Sequence, residues 1–263
     1  MPRESLAKKR ERALAVAERM NEHFPAAECA LHFDGDPFRL TIAVLLSAQT
    51  TDAGVNKVTP ELWERYPTPA DLAAADVSDV ERILRPIGFF HTKAANCIKC
   101  AQMIVGEFGG EVPHTFEELE RLPGVGHKTA NIVLNTGFGI VEGIAVDTHV
   151  FRVAHRLKLS SAAQPLDTEQ DLLKIYPREY WGPINHQWVL FGRQVCTARN
   201  PSCETCFLAD ICPSFGKAET TPKKRTAKST KKPAKKTAKK SAVRSKKASA
   251  AKPADKAKNT PTQ

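Results

Sequence analysis

Lys128 stands in the stretch RLPGVGHKTANIVLN, residues 121–135, where two short predicted helices meet at LPGVG. Pro123 ends the first helix. Gly124 and Gly126 permit unusual backbone angles and close approach, and the amides opening the second helix can receive a phosphate. Gly124, Val125, Gly126 and His127 are therefore candidates for sequence-blind contact with a DNA backbone. Lys128 falls in the first turn of that second helix, where the macrodipole and unpaired amides disfavour a cation. Partial burial would act in the same direction and raise the share of free amine. A neutral amine beside DNA can attack C1′ of a deoxyribose, displace a base and leave a Schiff base. A phosphate contact is the simpler role for the same side chain.

A nucleophilic amine acting on a nucleoside needs a carboxylate to stabilise the cationic sugar and manage protons. Asp147, in GIAVDTHVFRVAHRL, is the best-placed candidate, and it also suits the N-cap of the following helix. His149 reads as a local hydrogen-bonding residue. Downstream, CTARNPSCETCFLADIC puts Cys196, Cys203, Cys206 and Cys212 in the pattern C-x6-C-x2-C-x5-C. Four thiolates form a closed shell, so structural zinc and an iron–sulfur cluster both fit. The compact single run is more ferredoxin-like than zinc-finger-like. Arg193, Arg199 and Lys217 flank it and could present positive charge to DNA. Cys97, Cys100 and Cys29 read as small core residues.

The elements that must position these groups are helical. Apolar residues recur at three- and four-residue spacing and caps precede most segments, whereas strand-like alternation is scarce. Helices are predicted over 6–24, with Leu14, Ala17, Met20 and Phe24 on one face, over 37–48, and over 91–108. Others follow Thr68 and Ser78 as N-caps and Thr115, with Glu118 completing a capping box. Further helices run from Gly126 to Gly137, after Asp147, and from 183 to 195. The expected fold is all-α, with two helical domains flanking a DNA-binding cleft.

The chain carries 39 Lys and Arg against 29 Asp and Glu, but the excess is confined to one end. Residues 217–263 hold 17 basic and two acidic residues among Ala, Ser, Thr and Pro. Such a segment is expected to be disordered and to attract polyanions in a salt-dependent way. The remaining 216 residues are mildly acidic, with 22 basic against 27 acidic. No apolar run approaches membrane-spanning length and the N-terminus lacks a secretory core, so no membrane partner and a cytoplasmic location are expected.

With LLSAQTTD, LPGVGHKTANIVLN, VDTHVFRV and the cysteine run in this order, residues 5–215 resemble the endonuclease III family, bacterial DNA glycosylases with AP-lyase activity in the helix-hairpin-helix superfamily. The resemblance implies Lys128 as nucleophile, Asp147 as catalytic carboxylate and a [4Fe–4S] cluster on the four cysteines. It implies a monomer acting on double-stranded DNA with oxidised or damaged pyrimidines or abasic sites. It further implies a six-helix domain over 30–140 and a cluster-bearing domain over 141–216 packed with residues 1–29. Gln49 matches the position that enters the gap left by an extruded nucleotide, and Phe89 in IGFF matches a second intercalating position. An ordinary helix-end glutamine and a core phenylalanine are the plainer readings of those two residues. His127 stands where a basic residue is common in the family. Two other functions compete: an adenine-mismatch-type monofunctional glycosylase, which would lack the lysine and carry a glutamate in the segment aligned with LLSAQTTD, and a catalytically silent DNA-binding module with a redox-sensing cluster.

Overall fold

A computed structural model of the protein describes residues 4–217. The expectation of a disordered tail falls, apart from Lys217, outside the described residues. Among the described residues every regular element is helical. In order they are α1 (Leu6–His23), α2 (Pro37–Leu46), α3 (Asp52–Arg65), α4 (Pro69–Ala73), α5 (Val77–Leu84), α6 (Phe90–Phe108), α7 (Phe116–Arg121), α8 (His127–Ile132), α9 (Thr148–Arg156), α10 (Pro165–Ile175) and α11 (Trp181–Gln194). No described helix is long and apolar enough to cross a membrane.

Two hydrophobic cores organise these helices. The first gathers α2, which is buried along nearly its whole length, with Val55 and Leu62 of α3, Ile104 of α6 and Ala130 of α8. The second joins Ala13, Val16 and Met20 of α1 to Val150 and Val153 of α9, Leu172 of α10 and Trp188 of α11. Of the expected α1 face, Ala17 and Met20 are buried and Phe24 packs partly buried against the same core, while Leu14 is half-buried and Ala13 and Val16 complete the buried stripe.

Several caps differ from expectation. Thr68 forms a full capping box with Asp71, but α5 is capped by Asp76, whose Oδ1 accepts from the N–H and hydroxyl of Ser78. At α7 the Thr115 hydroxyl donates to Glu118 Oε2 (2.7 Å) instead of accepting from the backbone. The helix beginning at His127 changes character after one and a half turns: residues Val133–Phe138 are π-helical. Gly137 packs there against Leu40 of α2, where a Cβ would lie 3.1 Å from Leu40 Cδ2. A π-turn inside a helix commonly marks a functional segment.

Candidate active site and cluster loop

Lys128 and Asp147, one from each side of the two-core body, line the same cavity. Asp147 caps α9: its Oδ1 accepts from the N–H groups of His149 and Val150, both at 2.8 Å. Oδ2 makes no hydrogen bond among the described residues, so capping leaves one oxygen for chemistry. The Lys128 side chain is half-buried and has no ion pair or hydrogen bond among the described residues.

Glu28, Cys29, Asp52 and His186 complete the working part of this wall. Burial pushes the His186 imidazole below its ordinary value, and the charge of Lys128 acts the same way. Its Nε2 lies 3.2 Å from Thr136 Oγ1. Asp52 Oδ2 accepts from Arg193 Nη2 at 2.9 Å, joining α3 to α11 beside the cavity. Cys29, expected in the core, packs half-buried against the first core and also lines the cavity edge, where burial pushes its thiol up. Cys97 and Cys100 do lie in the first core, and burial pushes the Cys100 thiol up to about 12. His149 is the local hydrogen-bonding residue expected, 3.1 Å from Arg152 Nη2.

The hairpin needs only one of its glycines for backbone reasons. Gly124 has φ +85°, and a Cβ there would lie 2.9 Å from Leu45 Cδ1 and 3.2 Å from Asn96. Gly126 has an ordinary φ of −110° and open space around it. Val125 is buried, and its N–H donates to Leu122 O (3.0 Å), closing the turn. The Gly124 N–H and the amides from Gly126 onward, at the start of α8, have no such acceptor among the described residues and are left for an anion. The His127 ring is engaged elsewhere: Nε2 donates to Glu169 Oε2 (2.6 Å), and Nδ1 lies 3.3 Å from Glu120 Oε1.

Gln49 and Phe89 share a backbone feature. Both adopt the left-handed region, with φ of 55° and 59°, at a cost of roughly 1–2 kcal/mol each for an L-residue. Both side chains are exposed, Phe89 by 65%, which rules out the core reading of Phe89. Strained backbone presenting exposed side chains is a pattern of functional loops. The two loops are tied by Lys93 of α6, whose buried ammonium donates to Thr50 Oγ1 and whose N–H donates to Phe89 O (3.0 Å).

Cys196, Cys203, Cys206 and Cys212 ring one apolar cavity walled by Leu157, Phe191, Leu208 and Phe215, and none of the four is in a disulfide. Thiols spaced around a cavity suit a cubane, in which each iron takes its own sulfur. Arg156 Nη1 donates to Cys196 Sγ (3.3 Å) and the Leu208 N–H to Cys206 Sγ (3.4 Å). Hydrogen bonds of this kind stabilise the negative sulfur and tune such clusters. Arg152 and Arg156, one turn apart on α9, also donate to the carbonyls of Gly192, Cys196, Thr197 and Ala198. The helix headed by Asp147 thus holds the approach to the cysteine loop. Of the flanking cations, Arg199 and Lys217 are exposed, while Arg193 is paired with Asp52.

Glu28, Asp52, His186 and Glu169 escaped the sequence reading. Asp52 stands inside the quoted LLSAQTTD motif, so its place in the site had a signal. The other three had none within their own segments.

Comparison with known proteins identifies the family. Residues 42–178 match the HhH-GPD superfamily base excision DNA repair protein model. Residues 196–212 match the iron–sulfur binding domain of endonuclease III. Endonuclease III of Synechocystis sp. is 44% identical over 80% of this chain and 95% of its own length. The Escherichia coli enzyme is 43% identical over 76% of this chain and 93% of its own. A trapped endonuclease III–DNA covalent intermediate superposes with a TM-score of 0.75 at 43% identity, covering 79% of this chain and 97% of that one. The protein is accordingly a DNA glycosylase with a [4Fe–4S] cluster site, and its chain belongs to the endonuclease III family of the HhH-GPD base excision repair superfamily.

Proposed function

We propose that the protein is a bifunctional glycosylase and AP lyase for oxidised or damaged pyrimidines in duplex DNA, working as a monomer. The observation that carries this reading is the meeting of Lys128 and Asp147 in one cavity, with one Asp147 oxygen unused by capping. The hairpin amides from Gly126 onward take a backbone phosphate, while Gln49 and Phe89 enter the gap left by the extruded nucleotide. Extrusion costs least where damage has already weakened stacking, which supplies part of the selectivity.

The free amine of Lys128 attacks C1′ as the N-glycosidic bond breaks, and the bonding pair leaves with the base, which takes up a proton. Asp147 stabilises the positive charge on the sugar and receives protons from the amine. Ring opening yields the Schiff base. Loss of a C2′ proton then expels the 3′ phosphate by β-elimination, cutting the strand on the 3′ side, and water releases Lys128. The cluster takes no part in these bond changes; it shapes the loop held by Arg152 and Arg156. We read the two cores as two domains, residues 30–140 and residues 141–216 packed with 1–29.

The test is borohydride trapping of wild type and Lys128→Ala on duplexes carrying an abasic site or an oxidised pyrimidine. A covalent band in wild type that is absent from the variant is expected on both substrates. Equal bands in the two proteins would remove Lys128 from the nucleophile's role. Trapping only on the abasic duplex would remove base excision from the activity. No band with either duplex, from protein that binds DNA and holds its cluster, would favour a monofunctional enzyme or a binding module.

A further inference from the structure

Glu169 is an unusual residue in this fold. It belongs to α10, whose Leu172 and Ile175 pack in the second core, yet its carboxylate reaches the helix that carries Lys128 in the first. It is 3% exposed. Burying a carboxylate is costly unless its oxygens are satisfied. Here both oxygens have partners. Oε2 accepts from His127 Nε2 (2.6 Å), and Oε1 accepts from Asn131 Nδ2 (3.1 Å) and the Ile144 N–H (3.0 Å).

The identity of those partners gives the contact its meaning. His127 immediately precedes Lys128, and Asn131 follows it by one helical turn. Ile144 lies three residues before Asp147 on the short segment leading into the α9 cap. One carboxylate therefore bridges the helix bearing the amine and the segment bearing the acid. Gly143 supports the same reading: a Cβ there would stand 2.4 Å from Glu169 Oε1 and 2.6 Å from Asn131 Oδ1. The chain has no side chain at the point where it runs against the bridge.

We infer that Glu169 is a positioning residue that sets the distance between Lys128 and Asp147. It touches neither substrate nor the reacting atoms and acts through α8 and the segment 144–147. The inference rests on the reading of Lys128 as nucleophile. Reacting groups must be held close to their attack geometry, and a displacement of about 1 Å can cost on the order of 100-fold in rate. Loss of the bridge should consequently weigh far more on the chemical step than on DNA binding, since Gly124 and Val125 hold the hairpin turn without Glu169 even though the first α8 amides share the bridged helix.

The test uses the full-length, cluster-containing protein with a duplex carrying an abasic site, measuring single-turnover strand cleavage, the rate of borohydride trapping and duplex affinity. Glu169→Leu removes all three acceptor contacts; Glu169→Gln keeps an oxygen for Asn131 and the Ile144 N–H. Gly143→Ala leaves the carboxylate in place but pushes against it. We expect Glu169→Leu and Gly143→Ala to slow cleavage and trapping roughly 10–100-fold with affinity within about threefold of wild type, and Glu169→Gln to recover most of the rate. Wild-type rates in folded Glu169→Leu and Gly143→Ala would overturn the inference. So would parallel losses of rate and affinity with no recovery in Glu169→Gln. If Glu169→Leu does not fold, Gly143→Ala decides: slowed chemistry at unchanged affinity supports the bridge, and a wild-type rate refutes it. Lys128→Ala, run alongside, separates the two readings. Trapping by that variant would refute the nucleophile assignment, whereas its failure to trap beside wild-type rates in the Glu169 and Gly143 variants would refute the bridge alone.

Discussion

The two hairpin glycines, two residues apart, should respond in opposite ways to the same added methyl group. At Gly124, alanine must adopt φ near +85°, costing roughly 1–2 kcal/mol. Its Cβ would also lie 2.9 Å from Leu45 Cδ1 and 3.2 Å from Asn96, adding an overpacking cost of about 1–3 kcal/mol. The smaller entropy of the unfolded variant returns some 0.4–1 kcal/mol. The net loss is about 1–5 kcal/mol, centred near 3 kcal/mol, which for a body of this size lowers Tm by roughly 6–12 °C at the centre of that range. At Gly126 the backbone is ordinary and the space is open. Alanine is a poorer N-cap than glycine by about 0.5–1 kcal/mol, and the entropy gain offsets it, so Tm should stay within about 2 °C. That methyl group would nevertheless stand where a phosphate approaches the α8 amides. Losing one charge-assisted hydrogen bond of about 1.5–3 kcal/mol weakens duplex affinity roughly 10–100-fold. Thermal melting and fluorescence anisotropy with an abasic-site duplex measure both quantities. The reasoning fails if Gly126→Ala melts as early as Gly124→Ala, or if Gly126→Ala binds the duplex as wild type does.

Phe89→Ala should change stability by no more than about 0.5 kcal/mol, because the ring is 65% exposed, yet weaken binding to an abasic duplex by about 1–3 kcal/mol if the ring stacks there; wild-type affinity would show that it does not. Burial pushes both His186 and His149 below the ordinary 6.5. As pH falls below about 6.5 the unfolded chain gains protons that the folded chain refuses, so stability declines on the acid side and levels off above it. His186→Gln should therefore gain Tm relative to wild type as pH is lowered from about 7.5 to 5, and a constant difference across that window would contradict the assignment. Arg156→Met removes the donor to Cys196 Sγ and those to three loop carbonyls. Its visible absorbance and bound iron should be lost faster than wild type's under a chelator, and equal rates would show that the loop holds its shape without Arg156.

Features confined to one turn of chain were readable in the sequence. LPGVG announced a hairpin, Asp147 a cap, and the cysteine run a closed sulfur shell, because each depends on groups a few residues apart. Where two local solutions competed, the reading slipped. Asp76 and Ser78 are both good caps, and the structure uses the aspartate as cap and the serine as donor. Thr115 and Glu118 bond one another in place of the backbone. The π-turn at Val133–Phe138 and the helices α3 and α10 went unread. In α10 the buried stripe includes Thr168 and Glu169, so apolar periodicity is weak there.

The sequence by itself determined the candidate groups and their immediate settings: an amine at a helix start, a carboxylate on a cap, four thiols within one loop. Short-range hydrogen bonds and backbone sterics decide such settings, and both are local properties of residue type. Only the tertiary structure decided that Lys128 shares a cavity with Asp147, Glu28, Cys29 and His186, and that a buried glutamate from α10 bridges the amine's helix to the acid's segment. Those meetings depend on how two cores rotate and seat the α-helices of the described residues. That arrangement is the summed result of many weak apolar contacts, each too small and too distant in sequence to be read from a motif.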